Sequence, residues 1–155
     1  MEYKHKAENP AKVFLRRYRA LVIQRDSLQR SIDEAYDRAT SSTGRLREVK
    51  VSSSGAYDRM AEDVARIVDE TAQLEKVRAE TERALGEILR AIKSVPDEMQ
   101  RAVLMLRYVE GLGWIEIAEK IHYEISNTYI IHGRALWAVR KWLEGKEKKD
   151  GYTNG

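Results

Sequence analysis

The chain has 155 residues, of which 43% are hydrophobic and 34% charged, so a core is available beneath a very polar surface. That length suits one compact domain or two small helical modules. There are no cysteines, which excludes disulfides and thiolate metal sites, and two prolines among so many charges point to long solvated helices.

The net charge of +3 says little about a polyanionic partner, but its distribution says more. Residues 1–55 carry 12 Lys/Arg against 7 Asp/Glu, and residues 126–149 carry 6 against 2. Between them, residues 56–95 carry 7 against 9 and residues 96–125 carry 3 against 6. Two basic regions therefore flank an acidic middle. Residues 1–12 are polar and lack the apolar run of a signal peptide. No stretch reaches the roughly 18 apolar residues of a membrane span. The expectation is a cytoplasmic protein with no membrane partner.

The first helix is expected over about residues 10–40, opened by Pro10. Phe14, Tyr18, Leu21, Arg25, Leu28, Ile32, Ala35 and Ala39 alternate steps of four and three, with only Arg25 breaking the stripe. That heptad pattern belongs to a helix packing lengthwise on another helix. Residues 41–55 are rich in Ser, Thr and Gly and read as a connection, with one short possible strand at 46–51.

A second helix is expected over about residues 56–94, with a seam of Met60, Val64, Ile67, Thr71, Leu74, Arg78, Thr81, Leu85, Ile88 and Ile92. At 1.5 Å per residue it would be roughly 55–60 Å long. It cannot bury its stripe alone and must pair with the first helix, with another copy of itself, or with both. Since each stripe is long and a two-helix hairpin leaves one side of each helix open, a homodimer or higher homo-oligomer is expected. Arg25 and Arg78 lie in the two seams and are expected to reach carboxylates such as Glu75 or Glu80, or solvent, because an unpaired buried arginine is costly.

Pro96 ends the long helix, since the residue before a proline is steered from helical geometry. Asp97 and Glu98 open the next helix, as acids complement the dipole of a first turn. Three shorter helices follow, at about residues 97–110, broken by Gly111, then 114–121, then 126–143, ended by Gly145. The expected fold is all-α, a long helical hairpin followed by three helices. Its parts are a hairpin or oligomerisation region at 1–95 with a linker at 41–55, a domain at 96–145, and a flexible basic tail at 146–155.

The chemistry lies in residues 96–136. The elements Pro96-Asp97-Glu98, Val103-Leu104-Met105-Leu106-Arg107-Tyr108, Glu110-Gly111-Leu112, Trp114-Ile115-Glu116-Ile117-Ala118 and Arg134-Ala135-Leu136 stand in that order. This string resembles region four of bacterial sigma factors, a helix-turn-helix that reads promoter DNA. It is most similar to the sigma-region-four-like proteins of phages and prophages of Gram-positive bacteria. There, the stretch from Ile131 to Leu136 looks like a family signature, and some members act as activators of late transcription. The resemblance covers about 40 residues and implies double-stranded DNA and bacterial RNA polymerase as partners.

The residues support the same arrangement. A helix-turn-helix needs two short helices crossing steeply with a small residue at the contact, and Ala118 fits. Ile117, Ile121, Ile125, Thr128, Ile131 and Ala135 can form its core. Ser126, Asn127, Tyr129, Ile130 and Gly133 then face outward, on the turns that enter a major groove. Asn127 suits a bidentate contact to adenine, and Tyr129 a phosphate or a thymine methyl. Arg134, Arg140, Lys141 and the lysines of 146–149 suit phosphates. Relatives have a small capping residue where Glu124 stands and a basic one where Ile130 stands; Ser126 is expected to take over the cap.

Trp114, Trp137 and Trp142 read as packing residues. His122 and His132 lie on different helices, ten residues apart, and do not read as a metal pair. Gly111 and Gly113 lack the spacing of a phosphate-binding loop. No catalytic residue, cofactor or metal site is expected, so the chain does not read as an enzyme. Two other functions fit the same pattern, a small terminase-type DNA-packaging protein and an interaction protein that binds polymerase and not DNA.

Overall fold

The computed structural model describes residues 7–45 and 54–152. Among the described residues all regular structure is helical: α1 (Pro10–Arg45), α2 (Ser54–Lys93), α3 (Glu98–Leu104), which continues through a π turn (Met105–Val109), α4 (Trp114–Ile121) and α5 (Ile125–Tyr152). The possible strand at 46–51 lies outside the described residues. Among the described residues, no helix is long and apolar enough to cross a membrane.

The chain divides into two compact units inside its long helices, not at Pro96. One comprises Leu21–Thr81, and the other Met1–Ala20 with Glu82–Gly155.

In the Leu21–Thr81 unit, α1 and α2 run antiparallel. The Arg38 guanidinium donates to Asp63 at 3.1 Å, and that of Arg78 donates to the Gln29 amide oxygen at 3.1 Å. Leu21, Val22, Ala35 and Ala39 are buried on α1, and Leu74, Val77 and Thr81 on α2. The α1 stripe is the expected one, with Leu28 and Ile32 half-buried. The α2 stripe is shifted. Met60, Ile67, Leu74 and Thr81 turn inward as expected, but the alternate positions are taken by Asp63, Glu70 and Val77, while Val64, Thr71 and Arg78 are exposed. Arg25 pairs with Asp26 at 2.8 Å, and Arg78 also reaches Glu75 at 3.7 Å, both with solvent access, so neither seam arginine is buried unpaired. The inward Glu70, by contrast, has its Oε2 buried without a hydrogen-bond partner.

The other unit builds a layered core. Ala11 and Leu15 of α1, Ile88, Ala91 and Ile92 of α2, Val95 beyond it, Leu104 and Tyr108 of α3 and its π turn, and Ala135, Leu136 and Val139 of α5 form one buried cluster. Leu15, Ile88 and Leu104 each bury a whole side chain there, stabilising the fold by about 1.5–3 kcal/mol apiece.

Local chemistry sets the boundaries. The Asp97 carboxylate accepts the Gln100 N–H at 2.8 Å and caps α3, while the Arg101 guanidinium donates to the carbonyls of Val95 and Pro96. Gly113 opens α4, and its N–H donates to Glu116 Oε2 at 2.8 Å. Gly111 sits at φ +79°, the left-handed region that favours glycine.

Three boundaries differ from expectation: helix α1 runs on to Arg45, so residues 41–45 of the expected connection are helical, and both ends of α5 differ. Helix α5 starts at Ile125, and the Glu124 carbonyl accepts the N–H of Thr128 at 2.9 Å, so Ser126 lies inside the helix and does not cap it. Gly145 does not end α5, which runs to Tyr152, so residues 146–152 of the expected tail are helical. An interior glycine costs a helix only about 1 kcal/mol, too little to stop one that good formers continue.

Candidate functional site

The site is built on α4 and α5. Ile117 and Ala118 are buried on α4, and Thr128, His132, Ala135, Leu136 and Val139 on α5. Of the expected small core, Ile121 and Ile131 are half-buried, while Ile125 is exposed. The turn between the helices is tight. His122 adopts φ +58°, ψ +41°, and its N–H donates to the carbonyls of Ala118 and Glu119. The Tyr123 N–H reaches back to the Ala118 carbonyl at 3.0 Å. This left-handed C-terminal turn satisfies the last carbonyls of α4 and redirects the chain into α5, a position usually held by glycine.

With that side of α5 buried, its other side is presented. Ser126, Asn127, Tyr129, Ile130, Gly133, Arg134, Arg140 and Lys141 are all exposed. At about 100° per residue, Asn127, Ile130, Arg134, Trp137 and Lys141 share one face, with Ser126 and Gly133 beside them and Tyr129 and Arg140 on its edge. Between Ser126 and Lys141 the helix has no carboxylate. The two distal cations are partly neutralised, because Arg140 and Lys141 pair with Glu144 at 3.3 and 3.9 Å.

Trp137 corrects one expectation. It is 65% exposed and packs into no core, with the Lys141 ammonium 5.3 Å from its ring centre. Trp142 is a packing residue, 6.1 Å from the Phe14 ring. Trp114 sits between the Arg107 guanidinium at 4.7 Å, the Tyr129 ring at 5.0 Å and the His132 ring at 4.6 Å. Tyr129 is thus anchored to α4 by an aromatic contact while remaining half accessible.

Sequence reasoning missed the buried pair beneath that cluster. The Tyr108 hydroxyl and His132 Nε2 are hydrogen-bonded at 2.8 Å. Burial, followed by the charges of Lys12 and Arg107, lowers His132 from its usual 6.5 to about 4. Burial raises Tyr108, against the opposing pull of Arg107 and Arg16. Both groups are therefore neutral near pH 7, and their bond holds the π turn to α5. The available signal was the place of His132 between Thr128 and Ala135 on the inward side of α5.

The face of α4 and the turn has different chemistry. Ile115, Tyr123 and Ile125 are exposed apolar residues, and Glu116, Glu119 and Glu124 lie among them. Among the described residues, no group of three or more His, Asp or Glu is placed to hold a metal ion.

No protein-family model, curated protein or solved structure matches this chain.

Proposed function

We propose that this chain is a DNA-binding transcription regulator of the sigma-region-four-like kind, of phage or prophage origin, acting as a homo-oligomer beside bacterial RNA polymerase. In this reading α1 and α2 form the long hairpin, α4 and α5 are the helix-turn-helix, and α3 is the supporting helix. The observation that carries it is the presented N-terminal half of α5. Ser126, Asn127, Ile130, Gly133 and Arg134 stand free of the core while Thr128, His132 and Ala135 anchor the opposite side. A recognition helix requires that division, since its first turns must enter the major groove. Asn127 is its base-reading side chain, and Arg134 its phosphate contact.

The test is selection of duplex DNA from a random pool by the purified chain. Asn127→Ala should reduce discrimination between the selected and unrelated duplexes by about 1–3 kcal/mol. Arg134→Ala should weaken all duplexes alike and lower the salt dependence. Unchanged sequence preference in Asn127→Ala removes the direct-readout assignment.

A second reading has its own support. Exposed Ile115, Tyr123 and Ile125 with Glu116, Glu119 and Glu124 form an apolar surface with a negative rim, which repels phosphates and suits a protein. An interaction protein that binds polymerase without DNA would use that surface. Ile115→Glu abolishing polymerase binding, with no duplex recovered in the selection, would favour it.

A further inference from the structure

Gly133 has no structural reason to be glycine. It lies in the interior of α5 with helical neighbours on both sides, and a Cβ built there meets nothing within 4 Å. It has no positive φ to relieve. Glycine in a helix interior costs roughly 1 kcal/mol relative to alanine, so the fold alone would prefer alanine. One turn further on stands Trp137, 65% exposed, with Arg134 and Lys141 on the same face. Exposing an indole is also unfavourable to the isolated chain, since it leaves a large apolar area in water. Gly86, Gly145 and Gly151 are equally open helical glycines, so what sets Gly133 apart is the exposed indole one turn on. On that face α5 itself carries no carboxylate up to Lys141, and Asp97 of the α3 cap lies beside Arg134 and Trp137.

We infer that Gly133 and Trp137 form a notch on α5 that seats a sugar-phosphate strand of duplex DNA, a contact that rests on the DNA-binding reading above. The missing Cβ lets the strand approach the helix backbone closely. The Trp137 ring packs on the deoxyribose, and its indole N–H donates to a phosphate oxygen. Arg134 supplies the charge complement, while Lys141, shared with Glu144, lies against the ring. The spacing fits a strand at the groove wall. Asn127 and Trp137 are ten residues apart, about 15 Å along a helix, and a major groove is roughly 12 Å wide. With Asn127 on the base edges, Trp137 therefore stands against the backbone. This contact carries no sequence information, so it adds affinity for any duplex.

The experiment uses the full chain and a short random-sequence DNA duplex at low salt, with fluorescence anisotropy for binding and thermal unfolding for stability. Gly133→Ala should raise Tm, because the space is open and the helix gains, yet weaken duplex binding about tenfold. Opposite signs in the two readouts separate a ligand contact from a structural role. Trp137→Ala should weaken binding to a similar degree with Tm nearly unchanged, and Trp137→Phe should recover part of the loss through ring packing. Wild-type affinity in either Gly133→Ala or Trp137→Ala overturns the notch while leaving the DNA-binding reading intact. A fall in Tm for Gly133→Ala shows that the glycine serves the fold and also overturns it. If the wild-type chain binds no duplex, both the notch and that reading fall.

Discussion

The two compact units are made of the same two long helices, yet they bury different things. Leu15, Ile88, Val95, Leu104, Ile117 and Val139 are almost entirely out of water, and all lie in the unit that contains α3–α5. In the Leu21–Thr81 unit the buried positions include small or polar residues, Ala35, Ala39 and Thr81, and the most buried large ones keep a few per cent of exposure. The reason is geometric. A two-helix layer offers each helix one partner and covers one stripe, whereas helices packed on three further helices are covered on several sides. Val64, Val68, Tyr57 and Tyr36 accordingly remain in water in the two-helix layer. The same long helices thus line a dense core in one unit and a thin seam in the other, and local opening should follow that difference.

The comparison breaks most visibly under truncation. Ile88→Ala should cost about 2–5 kcal/mol, since it removes a buried side chain from a core with little room to collapse. Val64→Ala, on the same helix at 47% exposure, should stay within about 0.5 kcal/mol. Denaturant unfolding of the two variants measures the gap, and similar losses would mean that the two units share one level of packing.

Acid should sharpen the contrast next. The pKa of His132 is about 4 in the fold and 6.5 in an unfolded chain, so above pH 6.5 the residue is neutral in both states and stability is flat. As pH falls from 6.5 toward 4 only the unfolded chain gains the proton, and stability declines by up to about 3 kcal/mol before levelling off. Unfolding free energies across that window check this, and His132→Gln should remove most of the slope. A slope equally steep in His132→Gln would assign it to other groups.

The smallest effect concerns the connection before α4. Gly111→Ala would place a Cβ residue at φ +79°, at a cost of about 1–2 kcal/mol. The added atom would also lie 2.7 Å from the Arg19 guanidinium, but that is the far end of a flexible side chain and can move. Thermal unfolding should show a modest drop. A loss as large as that of Ile88→Ala would mean that Arg19 is held rigidly against the turn.

Where the helices lie was legible in the chain, and what they turn toward was legible only in part. The bounds of α4, the opening of α1 at Pro10 and the break at Gly111 follow from periodicity, proline and glycine, whose effects act within a turn or two. The outward set from Ser126 to Lys141 was also readable, because burying Thr128 and Ala135 leaves the opposite side of a helix only one direction to face. The seam of α2 was half readable. Met60, Ile67, Leu74 and Thr81 satisfy both possible stripes, and the choice between Val64 and Asp63, or between Arg78 and Val77, depends on where the partner helix lies. Hydrophobicity favours Val64 over Asp63, but Arg38 on α1 satisfies the Asp63 carboxylate. The Tyr108–His132 bond and the exposure of Trp137 are likewise tertiary decisions, each set by which surfaces α3 and α4 cover on α5. Local sequence determines a helix because its hydrogen bonds span four residues; which of its faces is buried depends on side chains dozens of residues away, and only the packed structure brings those together.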